Sequence, residues 1–134
     1  MRYQRRLSVP LLERIDLVVD LPAVIDSQAP PSVPSAVLRE RVLAARERQA
    51  YRDPVLHRDS APSDLASGRL TQAAEDALDH AYSSGQLSAS ARIRVLRIAA
   101  TVTDLAGHST ITAEAIHTAL RLRSGLPVDT PHLA

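Results

Sequence analysis

Leu87-Ser88-Ala89-Ser90-Ala91-Arg92-Ile93-Arg94-Val95-Leu96-Arg97-Ile98-Ala99-Ala100-Thr101-Val102-Thr103-Asp104-Leu105-Ala106-Gly107 is the stretch on which the fold turns. Ser88 has the side-chain oxygen an N-cap needs, and Gly107 can take the left-handed backbone that stops a helix. Between them, Ala91, Val95, Ile98, Ala99, Val102, Leu105 and Ala106 recur at helical spacing and share one broad apolar face. Ile93, Leu96 and Ala100 make a second, smaller apolar patch. A helix with two such faces suits a position between neighbouring helices.

The flanking sequence supplies those neighbours. Thr71 can cap a helix over residues 71–82 with Ala74, Leu78 and Ala81 inward, and Ser83-Ser84-Gly85 supplies its stop. Thr112 can cap another through residue 122, burying Ile116, Ala119 and Leu120, before Gly125-Leu126-Pro127 ends it. Upstream, Ser35 has the residue type of an N-cap for a helix to residue 52. That helix puts Leu38, Val42, Ala45 and Gln49 on a narrow stripe. Arg39 and Arg46 line one side of it, and Arg41, Arg48 and Arg52 the other. Glu40 and Glu47 lie among these arginines and no aromatics interleave, so they read as a solvated charged face. Residues 53–68 read as a loop with one short helical turn. The expected fold class is mainly α: a small helical bundle with an Ala/Leu/Val/Ile core, spanning residues 35–124 and followed by a loose tail at 125–134.

The first 34 residues follow a different pattern. Residues 7–14 read as the end of a helix, and residues 15–21 alternate, placing Ile15, Leu17, Val19 and Leu21 on one face of a strand. A single strand has no partner for its edges, so residues 1–26 read as a helix and strand belonging to something larger. Pro30, Pro31 and Pro34, with neighbouring serines, make residues 27–34 a linker.

Composition removes several kinds of chemistry. The 134 residues contain no cysteine, so disulfides, thiolate metal sites and thiol catalysis are excluded, and a cytoplasmic location is the default expectation. All 16 basic residues are arginine; without lysine the chain cannot complete a G-x-x-x-x-G-K-[ST] phosphate loop or form a Schiff base. With 15 acidic residues the formal net charge is +1, too small for a bulk field that attracts nucleic acid or anionic lipid. No run reaches the ~20 apolar residues of a membrane span. His57, His80, His108, His117 and His132 show no metal-binding spacing, so no metal site is expected. Glu75, Asp76 and Asp79 lie early in a helix, where they complement its dipole.

Three blocks carry a family resemblance. Tyr3-Gln4-Arg5-Arg6-Leu7-Ser8-Val9-Pro10-Leu11-Leu12-Glu13-Arg14-Ile15-Asp16-Leu17 resembles the Y-x-x-R-[LI]-S-G-P-L-L-D-R-I-D-L segment of magnesium-chelatase-like AAA+ ATPases of the ComM type. Leu38-Arg39-Glu40-Arg41-Val42-Leu43-Ala44-Ala45-Arg46-Glu47-Arg48-Gln49 is similar to their I-R-E-R-V-x-x-A-R-x-x-Q helix. Residues 87–105 follow their L-S-A-R-x-x-x-R-[IV]-L-R-[IV]-A-x-T-[IV]-A-D-L helix.

The resemblance implies that residues 1–26 close an AAA+ nucleotide-binding core and that residues 35–124 are its helical lid. It assigns Arg14 the role of an arginine reaching the ATP of a neighbouring subunit. A guanidinium suits that role, because it stays charged and forks onto phosphate oxygens. The family's second arginine, in S-A-R, touches the γ-phosphate of the same subunit's ATP from the helical lid. Ser90 stands there in this chain, and a short neutral hydroxyl does not replace a guanidinium. Arg94 and Arg97, on the same side of the helix, are the residues that could reach back in its place. Val9 replaces the family's glycine, and Glu13 its aspartate. The resemblance further implies that the complete protein uses ATP and Mg²⁺, with the AAA+ core and neighbouring ring subunits as partners and DNA as substrate. This chain alone would bind neither cofactor and hydrolyse nothing. The alternative is a non-enzymatic helical module that binds a partner protein or DNA through its arginine-rich helix.

Overall fold

The computed structural model describes residues 14–19, 33–52, 64 and 68–124. Four helices run through them in order: α1 (Ser35–Arg52), α2 (Gln72–Ser83), α3 (Ala89–Leu105) and α4 (Ala113–Ser124). The fold is mainly α, a small helical bundle. Its elements begin and end where the local chemistry directs. The Thr71 hydroxyl accepts from Ala74 N at 3.2 Å, and the Ser88 hydroxyl from Ala91 N at 3.2 Å, each satisfying a donor that the first helical turn leaves open. Ala115 N points to the Thr112 hydroxyl at 3.4 Å. α2 and α3 both stop at a glycine with positive φ, Gly85 at 75° and Gly107 at 80°. Gly107 N returns to Asp104 O at 3.1 Å, and His108 N to Thr103 O at 3.0 Å, so the last carbonyls of α3 are capped by the turn that ends it.

α3 is central. It packs against α1, α2 and α4, and α4 also lies against α2. The core joins Leu78 of α2 to Val95, Leu96, Ala99 and Ala100 of α3 and to Ile116 and Ala119 of α4. Alanines on the facing surfaces let the helices approach closely, while Leu78, Val95 and Ile116 fill the space between them at no more than 2% exposure. Full burial of such a side chain is worth about 1.5–3 kcal/mol. Both apolar patches expected on α3 turn inward, although Leu105 and Ala106 remain exposed at its end. Ile111, in the connection before α4, is fully buried as well. Its backbone donates to Arg69 O at 2.7 Å and accepts from Thr71 N at 3.1 Å, forming an isolated parallel bridge between Leu70 and Ile111. This bridge ties together the segments that lead into α2 and α4.

α1 is attached differently. Among the described helices it packs only on α3. Leu38 and Val42, expected on its buried stripe, remain 45% and 41% exposed; Ala45 alone is buried.

The N-terminal segment departs from the expected strand. Residues 15–19 form no strand, and the face predicted to be buried is open, with Ile15, Leu17 and Val19 at 38%, 52% and 65% exposure. The physical reason is the missing sheet: alternation buries a face only when neighbouring strands cover it. One backbone hydrogen bond, Val18 N to Leu122 O at 2.7 Å, holds the segment against α4. Arg14 lies in a turn; the helix expected over residues 7–13 and the tail beyond residue 124 lie outside the described residues. Of residues 53–67 only Asp64 is described, and it is helical. No helix of the described residues is long and apolar enough to cross a membrane.

Candidate functional site

Two polar clusters flank α3. The first gathers Arg14, Asp16, Arg94, Arg97 and Ile98 around a hollow of about 520 Å³. Arg94 and Arg97 are one turn apart on α3, and Asp16 reaches Arg94 from the segment that Val18 ties to the end of α4. Arg94 Nη1 donates to Asp16 Oδ1 at 3.3 Å, with the side chains 30% and 60% exposed. Such a pair is partly solvated and weak, on the order of 1 kcal/mol or less. Among the described residues its lining holds three guanidiniums and one carboxylate, and guanidiniums suit phosphate or carboxylate oxygens.

Three of the four residues singled out in the sequence therefore meet: Arg14, Arg94 and Arg97. Ser90 does not line the hollow. It is exposed at the start of α3, with its hydroxyl 3.0 Å from that of the capping Ser88. Arg92 turns away as well, to Asp79 at 2.6 Å and over the Tyr82 ring. A larger hollow, about 850 Å³, lies between the start of α3 and α4 and is lined in part by Leu87, His117, Leu120, Arg121 and Arg123. None of the predicted site residues borders it.

The second cluster was not foreseen. Asp104, in the last turn of α3, is completely buried, and donors converge on it from α1 and from the segment before α2. Arg52 grips the carboxylate with two parallel bonds, Nη1 to Oδ1 at 3.0 Å and Nη2 to Oδ2 at 2.8 Å. Gln49 Nε2 donates to Oδ2 at 3.1 Å, and Arg69 Nη2 to Oδ1 at 2.8 Å. Arg48 Nη1 donates to the Asp104 backbone oxygen at 2.9 Å. Arg69 is fixed in turn by its Nε bond to Ser109 O at 2.9 Å and by the Leu70 to Ile111 bridge beside it.

The electrostatics follow from that geometry. Burial works to raise the Asp104 carboxyl, but the hydrogen bonds from Arg52 and Gln49 and the charges of Arg69 and Arg52 outweigh it and hold it below the usual carboxylate range. Burial lowers Arg69 from its ordinary value against the pull of Asp104. Arg69 Nη1 is buried with no acceptor among the described residues. The row Arg41, Arg48 and Arg52 is therefore not a purely solvated face, because two of its members turn inward. The sequence carried one signal of this: Asp104 continues the smaller apolar patch of Ile93, Leu96 and Ala100, where an ionisable residue needs a partner.

Comparison with known proteins agrees with this architecture. Residues 32–123 match the family described as magnesium chelatase, subunit ChlI C-terminal. The chain is 32% identical over 134 residues to the uncharacterized protein YifB of Escherichia coli (strain K12), an alignment covering 92% of this chain and 26% of that protein. The chain thus spans about a quarter of the length of that relative. No solved structure matches the chain. With the family match covering α1 to α3 and all but the last residue of α4, the chain belongs to the magnesium chelatase subunit ChlI C-terminal family.

Proposed function

We propose that this chain is the helical lid and trans-acting arginine segment of a magnesium-chelatase-like AAA+ ATPase, a DNA-remodelling motor of the ComM, competence-associated type. The observation that carries the reading is the meeting of Arg14, Arg94 and Arg97 at one hollow in a member of this family. Arg14 supplies charge to the ATP of a neighbouring subunit. Arg94 and Arg97 face the ATP of their own subunit from the lid, where Ser90 offers no cation. A guanidinium fits phosphate oxygens, and during phosphoryl transfer each would offset the charge that develops on the nucleotide it reaches.

Among the described residues, no group of three or more His, Asp or Glu could hold a metal ion. The sequence likewise has no lysine for a phosphate loop. Catalysis then depends on an AAA+ core, with cytoplasmic ring subunits as partners and DNA as the remodelled substrate. The alternative, an interaction module reading DNA through the α1 arginines, loses support because Arg48 and Arg52 are committed to Asp104.

The test uses rings in which the chain is joined to an AAA+ core of its family. Mixing in subunits carrying Arg14→Ala is expected to lower ATP turnover per mixed interface roughly a thousandfold, the scale of an arginine finger. Unchanged turnover removes Arg14 from the role. Tight ATP binding by the 134-residue chain alone would overturn the assignment as a lid that needs a core.

A further inference from the structure

α1 has little apolar attachment to the rest of the bundle. Val37, Leu38, Val42 and Leu43 remain 41–48% exposed, and Ala45 is its one buried side chain. Its polar attachment is concentrated in the last turn, where Arg48, Gln49 and Arg52 all close on Asp104. The other half of the cluster belongs to the remaining helices. Arg69 is held by Ser109 O and by backbone hydrogen bonding with Ile111, and it pairs with Asp104 independently of α1.

This division has a physical consequence. A buried carboxylate stripped of its counter-ion is strongly destabilising, and that penalty normally locks such a network shut. Here, withdrawing α1 removes Arg52, Gln49 and Arg48 but leaves Asp104 paired with Arg69 at 2.8 Å. Arg52, at 29% exposure, already borders solvent, whereas Arg69 is 8% exposed. One guanidinium is resident and the other removable.

We infer that α1 is a detachable arm on a self-sufficient α2–α4 core, held by a polar latch in which Arg48, Gln49 and Arg52 close on Asp104 while Arg69 keeps that carboxylate paired after release. The latch is independent of the arginine hollow, since the two clusters share no residue. It gives the domain two states that differ in where α1 lies and not in whether the core is folded.

Hydrogen exchange on the full chain tests this, comparing wild type with Arg52→Ala and with the triple variant Arg48→Ala, Gln49→Ala, Arg52→Ala. Exchange in residues 35–52 is expected to rise at least about tenfold in the triple variant and by less in Arg52→Ala, while residues 72–83, 89–105 and 113–124 remain protected at least about tenfold more strongly than α1. Two results would overturn the latch. One is wild-type protection of α1 in the triple variant; the other is protection in α2, α3 and α4 falling to the level of α1, including outright failure to fold.

Discussion

Arg69 Nη2 and Asp104 Oδ1 lie 2.8 Å apart with their side chains 8% and 0% exposed, so the connection before α2 is joined to the end of α3 by an ion pair inside the bundle. Removing the acid strands a buried guanidinium, whereas removing Arg52 leaves the pair intact. Asp104→Ala is accordingly expected to destabilise the domain by about 3–5 kcal/mol. Arg52→Ala should cost less, about 1.5–3 kcal/mol, the scale of hydrogen bonds to a charged group. Urea unfolding monitored by helical signal measures both. Equal losses would show that Arg69 does not sustain Asp104 by itself.

The same carboxylate sets a pH dependence. Its folded-state value is lowered, so the folded protein binds the proton less readily than the unfolded chain, whose aspartates titrate near ~3.9. The stabilisation is therefore fully present above that value and is lost as pH falls through it toward the lowered folded value. Wild type and Asp104→Asn should differ by a constant unfolding free energy from neutral pH down to about pH 5, and the difference should shrink below about pH 4. A gap that persists unchanged to pH 2 would show that the wild-type advantage does not come from the ionised carboxylate.

How far the sequence was legible depended on the range of the interactions involved. Thr71, Ser88, Gly85 and Gly107 act within a turn of their own position, and their capping roles follow from residue type. α3 was equally readable because its neighbours lie on both sides and its apolar residues repeat accordingly. Asp104 was not readable as a hub. Its partners lie 35, 52 and 55 positions away at Arg69, Arg52 and Gln49, and nothing local says which of many arginines turns inward. In its described part, residues 15–19, the strand expected over residues 15–21 does not form, for a related reason. Alternation records a preference for a sheet, and among the described residues there is none to join.

The caps offer a graded test of local chemistry. Ser88→Ala removes the acceptor for Ala91 N and is expected to cost about 1 kcal/mol. Thr71→Ala should cost somewhat more, up to ~2 kcal/mol, because the Thr71 hydroxyl also lies 3.4 Å from Ile111 O, beside the bridge that joins the entries to α2 and α4. Thermal unfolding of the two variants ranks them. A larger loss at Ser88 would mean that the cap of α3 matters more than the junction beneath Thr71.

Ser90→Arg separates a missing cation from a relocated one. Ser90 is exposed, with its hydroxyl 3.0 Å from that of the capping Ser88, so an arginine there extends over open surface. It adds a positive charge to the first turn of α3, unfavourable with the helix dipole by roughly 0.3–1 kcal/mol, so unfolding should shift only slightly. In rings joined to an AAA+ core, its effect on ATP turnover distinguishes two arrangements. If the lid lacks a phosphate contact at this position, turnover rises with the new guanidinium. If Arg94 or Arg97 already supplies that contact, turnover stays level in Ser90→Arg and falls when Arg94→Ala or Arg97→Ala is introduced. A rise in Ser90→Arg, with no loss in either alanine variant, would exclude both arginines from the nucleotide and leave the hollow around Arg14 without a lid contribution.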